Sequence, residues 1–215
     1  MVMRYSYRQD KIGTGKMKIF IALEGIDGAG KTSIGKMLEE KLGFAYYATP
    51  PQGYKPIRRF VSENAQPMAR FLYYMAGNID TSHAIKDMLK HNDAICDRYV
   101  FSTLIPHSIR ERLTVEDMLQ LFVPYRDHIL MPDTTIVLDV EPEEQIRRLT
   151  QRNQGKNSSS DRLILENTVL RREFRERYIA VANRFNWPVI DTSGRDIEEI
   201  MKEVIEQFPC IKCNI

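Results

Sequence analysis

The chain has 215 residues, 43% hydrophobic and 28% charged, a composition that suits one globular domain with a substantial core. Its formal net charge is only +2, so the overall balance gives no reason to expect nucleic acid or a membrane as a partner. Three cysteines do not make a disulfide framework, and no apolar run reaches the roughly 20 residues of a membrane-spanning helix. Together these features predict a cytoplasmic protein.

The two ends of the chain show no pattern of a folded element. Residues 1–16 are polar and slightly basic and predict a disordered extension before a single domain at residues 17–209. Residues 210–215 are expected to form a tail. Cys210 and Cys213 in this tail form a CxxC, but a tetrahedral zinc site needs two more ligands and the four histidines show no paired spacing. A frayed tail is therefore favoured over a metal site.

Short β-branched runs alternate with longer stretches of helical periodicity along the chain. Strands that alternate with helices imply right-handed βαβ crossovers and a mostly parallel sheet with helices on both faces. The fold class is therefore predicted as α/β, with three α/β/α layers. Strands are predicted at residues 18–25, 44–49, 93–97, 134–140 and 188–191, and helices at 31–42, 66–91, 114–122, 142–152, 161–185 and 197–208.

Residues 153–160 (NQGKNSSS) interrupt this alternation with a run rich in Asn, Ser and Gly. Such a composition suits a short mobile lid between two arginine-bearing helices. It equally suits a plain surface connection.

The segment after the first predicted strand fits the phosphate-binding pattern GxxxxGK[ST], known as the P-loop. Glycines let the backbone wrap a phosphate, whose negative charge is bound by successive N–H groups and by the N-terminus of the following helix. We expect Lys31 to bridge the β- and γ-phosphates of ATP and Thr32 to offer its hydroxyl to Mg²⁺. The predicted nucleotide-binding residues are Gly25, Ile26, Asp27, Gly28, Ala29, Gly30, Lys31, Thr32 and Ser33.

A P-loop alone does not name the reaction, because GTPases, ATPases and small-molecule kinases share it. The chain has no Asn-Lys-x-Asp run for reading guanine, which argues against a GTPase. Asp139 could be taken for the metal-binding acid of a Walker B strand. However, the helix start at residues 142–144 follows directly, which favours a structural role for Asp139.

The third predicted strand ends in Asp97, Arg98 and Tyr99. The carboxyl ends of parallel strands line the same crevice as the P-loop. We therefore expect Asp97 to hold Mg²⁺ or help orient the acceptor, and Arg98 to clamp a phosphate with its forked donors. The alternative is a surface ion pair.

Two groups of arginines follow. The first group flanks residues 153–160 and consists of Arg148, Arg152 and Arg162, with Asp161. A cation there can stabilise the negative charge that spreads over the phosphoryl oxygens during transfer. The second group is a run of arginines that alternates with glutamates, and it is expected to form a solvated helix face. Its members are Arg171, Arg172, Arg175 and Arg177.

In combination these segments resemble the thymidylate kinase family. Residues 20–32 (FIALEGIDGAGKT) are similar to the family's first strand and P-loop. Asp97-Arg98-Tyr99 with Ser102 resembles its DRYxxS motif, and Asp161-Arg162 resembles the Asp-Arg of its lid. The resemblance implies a five-stranded parallel sheet, a homodimer built by helix packing, and Mg²⁺-dependent phosphoryl transfer from ATP to dTMP or a related nucleoside monophosphate.

Carried over by position, the resemblance also implies roles for single residues. Arg98 would bind the acceptor phosphate, and Asp97 would work beside Mg²⁺. Asp27 would lie near the sugar hydroxyl of the acceptor. The catalytic cation would come from Arg152, together with Arg148.

The acceptor side departs from the family pattern. Residues 48–53 (ATPPQG) stand where the family has Arg-Glu-Pro-Gly-Gly-Thr, and Gly77-Asn78 stands in place of an Asp-Arg pair that faces the base. The candidates for the acceptor pocket are Tyr74, Asn78 and Thr103. Two alternatives stay open: a kinase of this fold that acts on a nucleoside or another small hydroxyl compound, and a nucleotide-binding regulatory protein without an acceptor.

Overall fold

The structure is a computed structural model that describes residues 18–153 and 159–208, and the side chains of 18–152 and 163–208. Several predictions from the sequence lie outside this part of the chain. They concern the extension at 1–16, the CxxC tail at 210–215, most of the lid at 153–160, and the side chains of Asp161 and Arg162.

A parallel sheet forms the centre of the fold. Within the described residues it has five strands in the order β2-β3-β1-β4-β5, and every pairing is parallel. All six residues of β1 are buried, as expected for a central strand that is covered by helices on both faces. The predicted α/β fold is thus confirmed. The strands are β1 (Phe20–Gly25), β2 (Ala45–Ala48), β3 (Ala94–Asp97), β4 (Thr134–Asp139) and β5 (Val189–Asp191).

The helices pack in two groups. Helices α1 and α9 contact each other, whereas α4 contacts α3, α5 and α8. No helix of the described residues is long and apolar enough to cross a membrane. The helices are α1 (Lys31–Leu42), α2 (Lys55–Asn64), α3 (Pro67–Met88), α4 (Phe101–Arg110), α5 (Val115–Phe122), α6 (Pro142–Asn153), α7 (Ser159–Glu166), α8 (Thr168–Phe185) and α9 (Ile197–Glu206).

Three features differ from the sequence-based assignment. Helices α2 and α4 were not predicted. Pro56 lies in the first turn of α2, where proline is tolerated, whereas Pro106 lies inside α4, where proline removes a backbone hydrogen bond. The single helix predicted at 161–185 is wrong, because the helix is interrupted at Asn167, between α7 and α8. The side chain of Asn167 caps α8 by accepting a hydrogen bond from the backbone N–H of Leu170 at 2.9 Å.

The sheet order places the two motifs of the sequence side by side. The chain leaves β1 towards β2 on one side and returns to β4 on the other, so a crevice opens at the carboxyl end of β1. In the register of the sheet Leu23 of β1 pairs with Asp97 of β3. The P-loop and Asp97-Arg98 therefore meet at this crevice.

Candidate active site

The P-loop connects β1 to α1 with a backbone that requires glycine at its start. Gly25 has φ 130°, and a Cβ there would lie 2.0 Å from the carbonyl oxygen of Leu138. The buried Lys31 ammonium donates hydrogen bonds to the carbonyl oxygens of Gly25 at 3.0 Å and Ile26 at 2.6 Å. Burial, aided by the positive charge of Arg98, lowers the pKa of Lys31 to about 8. The Lys31 side chain is thus folded back onto the P-loop backbone, where its ammonium can bind an anion.

Asp97 joins the P-loop to the neighbouring strands. Its Oδ2 accepts hydrogen bonds from the hydroxyls of Thr32 at 2.5 Å and Tyr46 at 3.0 Å. Its Oδ1 is buried and has no hydrogen-bond partner among the residues that the structure describes. A buried acceptor without a donor is costly, which points to a ligand. A carboxylate oxygen beside a hydroxyl is the donor set that Mg²⁺ prefers, so these residues fit the ion.

Arg98 directly follows β3 and has a left-handed backbone conformation with φ 67°. Its guanidinium forms an ion pair with Asp27 and donates to the Ser102 hydroxyl at 3.4 Å. Burial acts to raise the pKa of Asp27, but the charges of Arg98 and Lys31 outweigh it and lower the pKa. Asp27 is therefore a carboxylate that orients Arg98 in the cleft.

Glu24, next to the carboxyl end of β1, supports the segment that follows Arg98 and was missed in the sequence. It is completely buried and accepts hydrogen bonds from the backbone N–H groups of Tyr99, Phe101 and Ser102 and from the Ser102 hydroxyl. Burial raises its pKa, against the hydrogen bond from Ser102. Its signal in the sequence is a lone acid inside an otherwise apolar strand.

Two of the three arginines of α6, Arg148 and Arg152, were predicted to act in catalysis, and they have different surroundings. Arg148 donates to the carbonyl oxygens of Gly28 at 3.2 Å and Thr192 at 2.5 Å, and to Glu144 at 2.7 Å. It therefore ties α6 to the P-loop. Arg152 is exposed on the wall of the cleft, where its charge helps to lower the pKa of Asp27.

A cleft of about 1540 Å³ runs from the P-loop to α2, α3 and α4. Of the residues predicted for the acceptor pocket, Tyr74 and Thr103 line this cleft. Asn78 does not line it, because it is 1% exposed and donates to the Thr103 hydroxyl at 2.9 Å. Asn78 thus reaches the cleft only through Thr103.

The far end of the cleft is lined by cations that sequence reasoning missed. Arg58 extends from α2, Arg70 from α3 and Arg110 from α4. Burial lowers the pKa of Arg110, and the nearby charge of Arg70 adds to the effect. These residues could not be placed from the sequence because two of their helices were not predicted.

Other charged residues of the sequence have structural partners. Asp139 accepts hydrogen bonds from Nε of Arg175 at 3.0 and 2.9 Å, in agreement with the expected structural role. The solvated arginine face predicted on α8 is largely wrong. Arg171 bonds to the Ile164 carbonyl and Arg177 to the Leu113 carbonyl, both at 2.7 Å.

Comparison with known proteins agrees with this geometry. The thymidylate kinase family model matches residues 23–204. A protein of Methanocaldococcus jannaschii named "Probable thymidylate kinase" is 28% identical over 87% of this chain and 94% of its own. One of the same name from Pyrobaculum aerophilum is 30% identical over 86% and 97%.

Solved structures share the fold at lower identity. Thymidylate kinase from Candida albicans superposes with a TM-score of 0.71 at 18% identity, covering 91% of this chain and 93% of its own. Deoxyadenosine kinase from M. mycoides gives 0.61 at 18% identity, over 88% and 98%. With a family match over most of its length, the chain belongs to the thymidylate kinase family of nucleoside monophosphate kinases.

Proposed function

We propose that the protein transfers the γ-phosphoryl group of Mg²⁺–ATP to dTMP or a related nucleoside monophosphate. One observation carries this proposal: the P-loop, Arg98 and the cationic end formed by α2, α3 and α4 line one continuous cleft. A donor nucleotide at the P-loop and an acceptor at the other end would meet beside Arg98. Such positioning, with electrostatic stabilisation, is most of what phosphoryl transfer requires from a protein.

In this proposal each residue acts through an atom already in the cleft. The P-loop N–H groups and Lys31 bind the phosphates of ATP, and Arg98, held by Asp27, binds the phosphate of the acceptor. Thr32 and Asp97 would hold Mg²⁺, which when bound neutralises charge on the β- and γ-phosphate oxygens. Arg152 supplies a cation to the oxygens on which negative charge develops.

Turnover against a panel of acceptors tests the reaction. ADP formation from Mg²⁺–ATP is measured with nucleoside monophosphates and with free nucleosides. We expect strong turnover with at least one monophosphate.

Arg152→Ala should reduce kcat by on the order of 10³-fold. Arg147→Ala is the matched control, because Arg147 lies on the same helix but is not among the described residues that line the cleft. Unchanged turnover in Arg152→Ala would contradict its role.

A nucleoside as acceptor is the second candidate. Its support is the overlap of the fold with a deoxyadenosine kinase, together with the replaced acceptor motif at residues 48–53. In that case only free nucleosides would be phosphorylated, and Arg98→Ala would change the KM for the acceptor little. Loss of monophosphate turnover in Arg98→Ala would favour the first candidate.

The homodimer and the cytoplasmic location are part of the same proposal. Large apolar side chains are exposed on α2 and α3: Ile57 (55%), Phe60 (67%), Met68 (48%) and Leu72 (43%). Within each helix the two residues are three or four apart and so lie on one side. This surface suits helix packing between two copies. Light scattering should give a mass about twice that of one chain.

A further inference from the structure

Tyr46 lies on β2, outside every motif of the sequence, yet its hydroxyl reaches the carboxylate at the centre of the site. It donates to Oδ2 of Asp97 at 3.0 Å, beside the bond from Thr32 to the same oxygen. The two donors occupy Oδ2 together. The buried Oδ1 is left without a partner among the described side chains and backbone groups.

The tyrosine ring is held in place by close packing against α1. A Cβ built on Gly35 would lie 2.6 Å from Cε2 of Tyr46, so the ring occupies the space that any larger residue at position 35 would need. The hydrogen bond to Asp97 is thus built into the contact between β2 and α1.

We propose that Tyr46 is a positioning residue for the Mg²⁺ site. Together with Thr32 it fixes the carboxylate of Asp97 through Oδ2, which leaves Oδ1 to serve the ion or one of its bound waters. The inference rests on the proposed function only in so far as Asp97 holds a metal–nucleotide complex. It does not depend on which acceptor the protein uses.

Binding of Mn²⁺–ADP tests the inference without an acceptor or turnover. The binding is measured from the decrease in the electron paramagnetic resonance signal of free Mn²⁺. Tyr46→Phe keeps the ring and removes only the hydroxyl. We expect its apparent Kd for Mn²⁺ to rise about three- to tenfold. In turnover assays the KM for Mg²⁺ should rise by a similar factor, with kcat recovered at saturating metal. Tyr47→Phe is the matched control, since the Tyr47 hydroxyl makes no hydrogen bond to the described residues, and it should bind Mn²⁺ as the wild type does.

A double-mutant cycle shows whether Tyr46 acts through Asp97. In an Asp97→Asn background, Tyr46→Phe should weaken Mn²⁺ binding no further. An equal loss in both backgrounds would overturn the proposal. So would wild-type Mn²⁺ affinity in Tyr46→Phe accompanied by a lower unfolding temperature, since that result assigns the hydroxyl a purely structural role. If no monophosphate or nucleoside is phosphorylated, the proposed function fails, but the Mn²⁺ measurements still decide this inference.

Discussion

Arg98 combines a left-handed backbone with the guanidinium that we propose binds the acceptor phosphate. A left-handed conformation costs a residue with a side chain on the order of 1 kcal/mol relative to glycine, and such strain persists where surrounding contacts enforce it. Here the ion pair with Asp27 and the bond to Ser102 hold the side chain, while Glu24 fixes the backbone that follows. The strained backbone is thus part of how the guanidinium is aimed into the cleft.

Two substitutions separate these contributions. Arg98→Ala and Arg98→Gly both remove the guanidinium, so both should lower kcat/KM for the acceptor by about tenfold to a hundredfold. Only glycine relieves the backbone, so Arg98→Gly should unfold with a free energy about 1 kcal/mol higher than Arg98→Ala. Denaturant unfolding measures the difference. Equal stability of the two variants would show that φ 67° imposes no strain.

We expect Lys31 to make nucleotide binding depend on pH. In the free protein its pKa is about 8, below the ordinary value of 10.5, so the ammonium loses its proton as the pH rises through about 8. A bound phosphate favours the charged form and raises this pKa, so nucleotide binding must take up a proton above that pH. Affinity for ATP should then fall by up to about tenfold per pH unit.

Calorimetry in buffers of different ionisation enthalpy measures the protons taken up on binding. At about pH 9 the uptake should exceed that at about pH 7. Lys31→Arg is the control, because a guanidinium stays charged throughout this range and should show no such uptake. An ATP affinity that does not change with pH would mean that Lys31 stays protonated in the free protein.

The strands were more predictable than the helices at the cationic end of the cleft. Strand β1 is buried on both faces and has an apolar sequence interrupted only by Glu24, and β3 was recognisable by its Asp97-Arg98 end. Helix α4 contains Pro106, which by itself argues against a helix, and only tertiary packing against α3 and α8 overrides that local preference. The bond from Tyr46 to Asp97 joins residues 51 apart in the chain and left no local pattern.

Helix α4 brings Arg110 to the end of the cleft remote from the P-loop. If the acceptor lies there, Arg110→Ala should raise the KM for the acceptor about tenfold, because a charge-assisted hydrogen bond to the acceptor is lost. The KM for ATP should change little. Arg59→Ala is the matched control, since Arg59 also lines the cleft but pairs with Glu63 and is 87% exposed. Equal effects of both variants on the acceptor would contradict a specific role for Arg110.

At the scale of the whole molecule the net charge is small, but positively charged side chains are concentrated in the cleft. The formal net charge is +2, yet among the described residues that line the cleft, ten are Lys or Arg and three are Asp or Glu. A cleft of one sign with low-dielectric walls focuses its field on anionic ligands. The attraction for two nucleotides is therefore a property of where the charges lie, which the overall composition conceals.

Changes in salt concentration and substitutions that remove a positive charge test the effect of the cations in the cleft. Because the Debye length is only about 10 Å at 0.1 M salt, rising ionic strength should raise the KM for both nucleotides and leave kcat less affected. Lys55→Gln and Lys86→Gln each remove one positive charge, but only Lys55 lines the cleft. We expect Lys55→Gln to raise KM and weaken its salt dependence, while Lys86→Gln behaves as the wild type does. If both variants shift KM equally, the net charge of the protein governs nucleotide capture, and the local concentration of cations in the cleft does not.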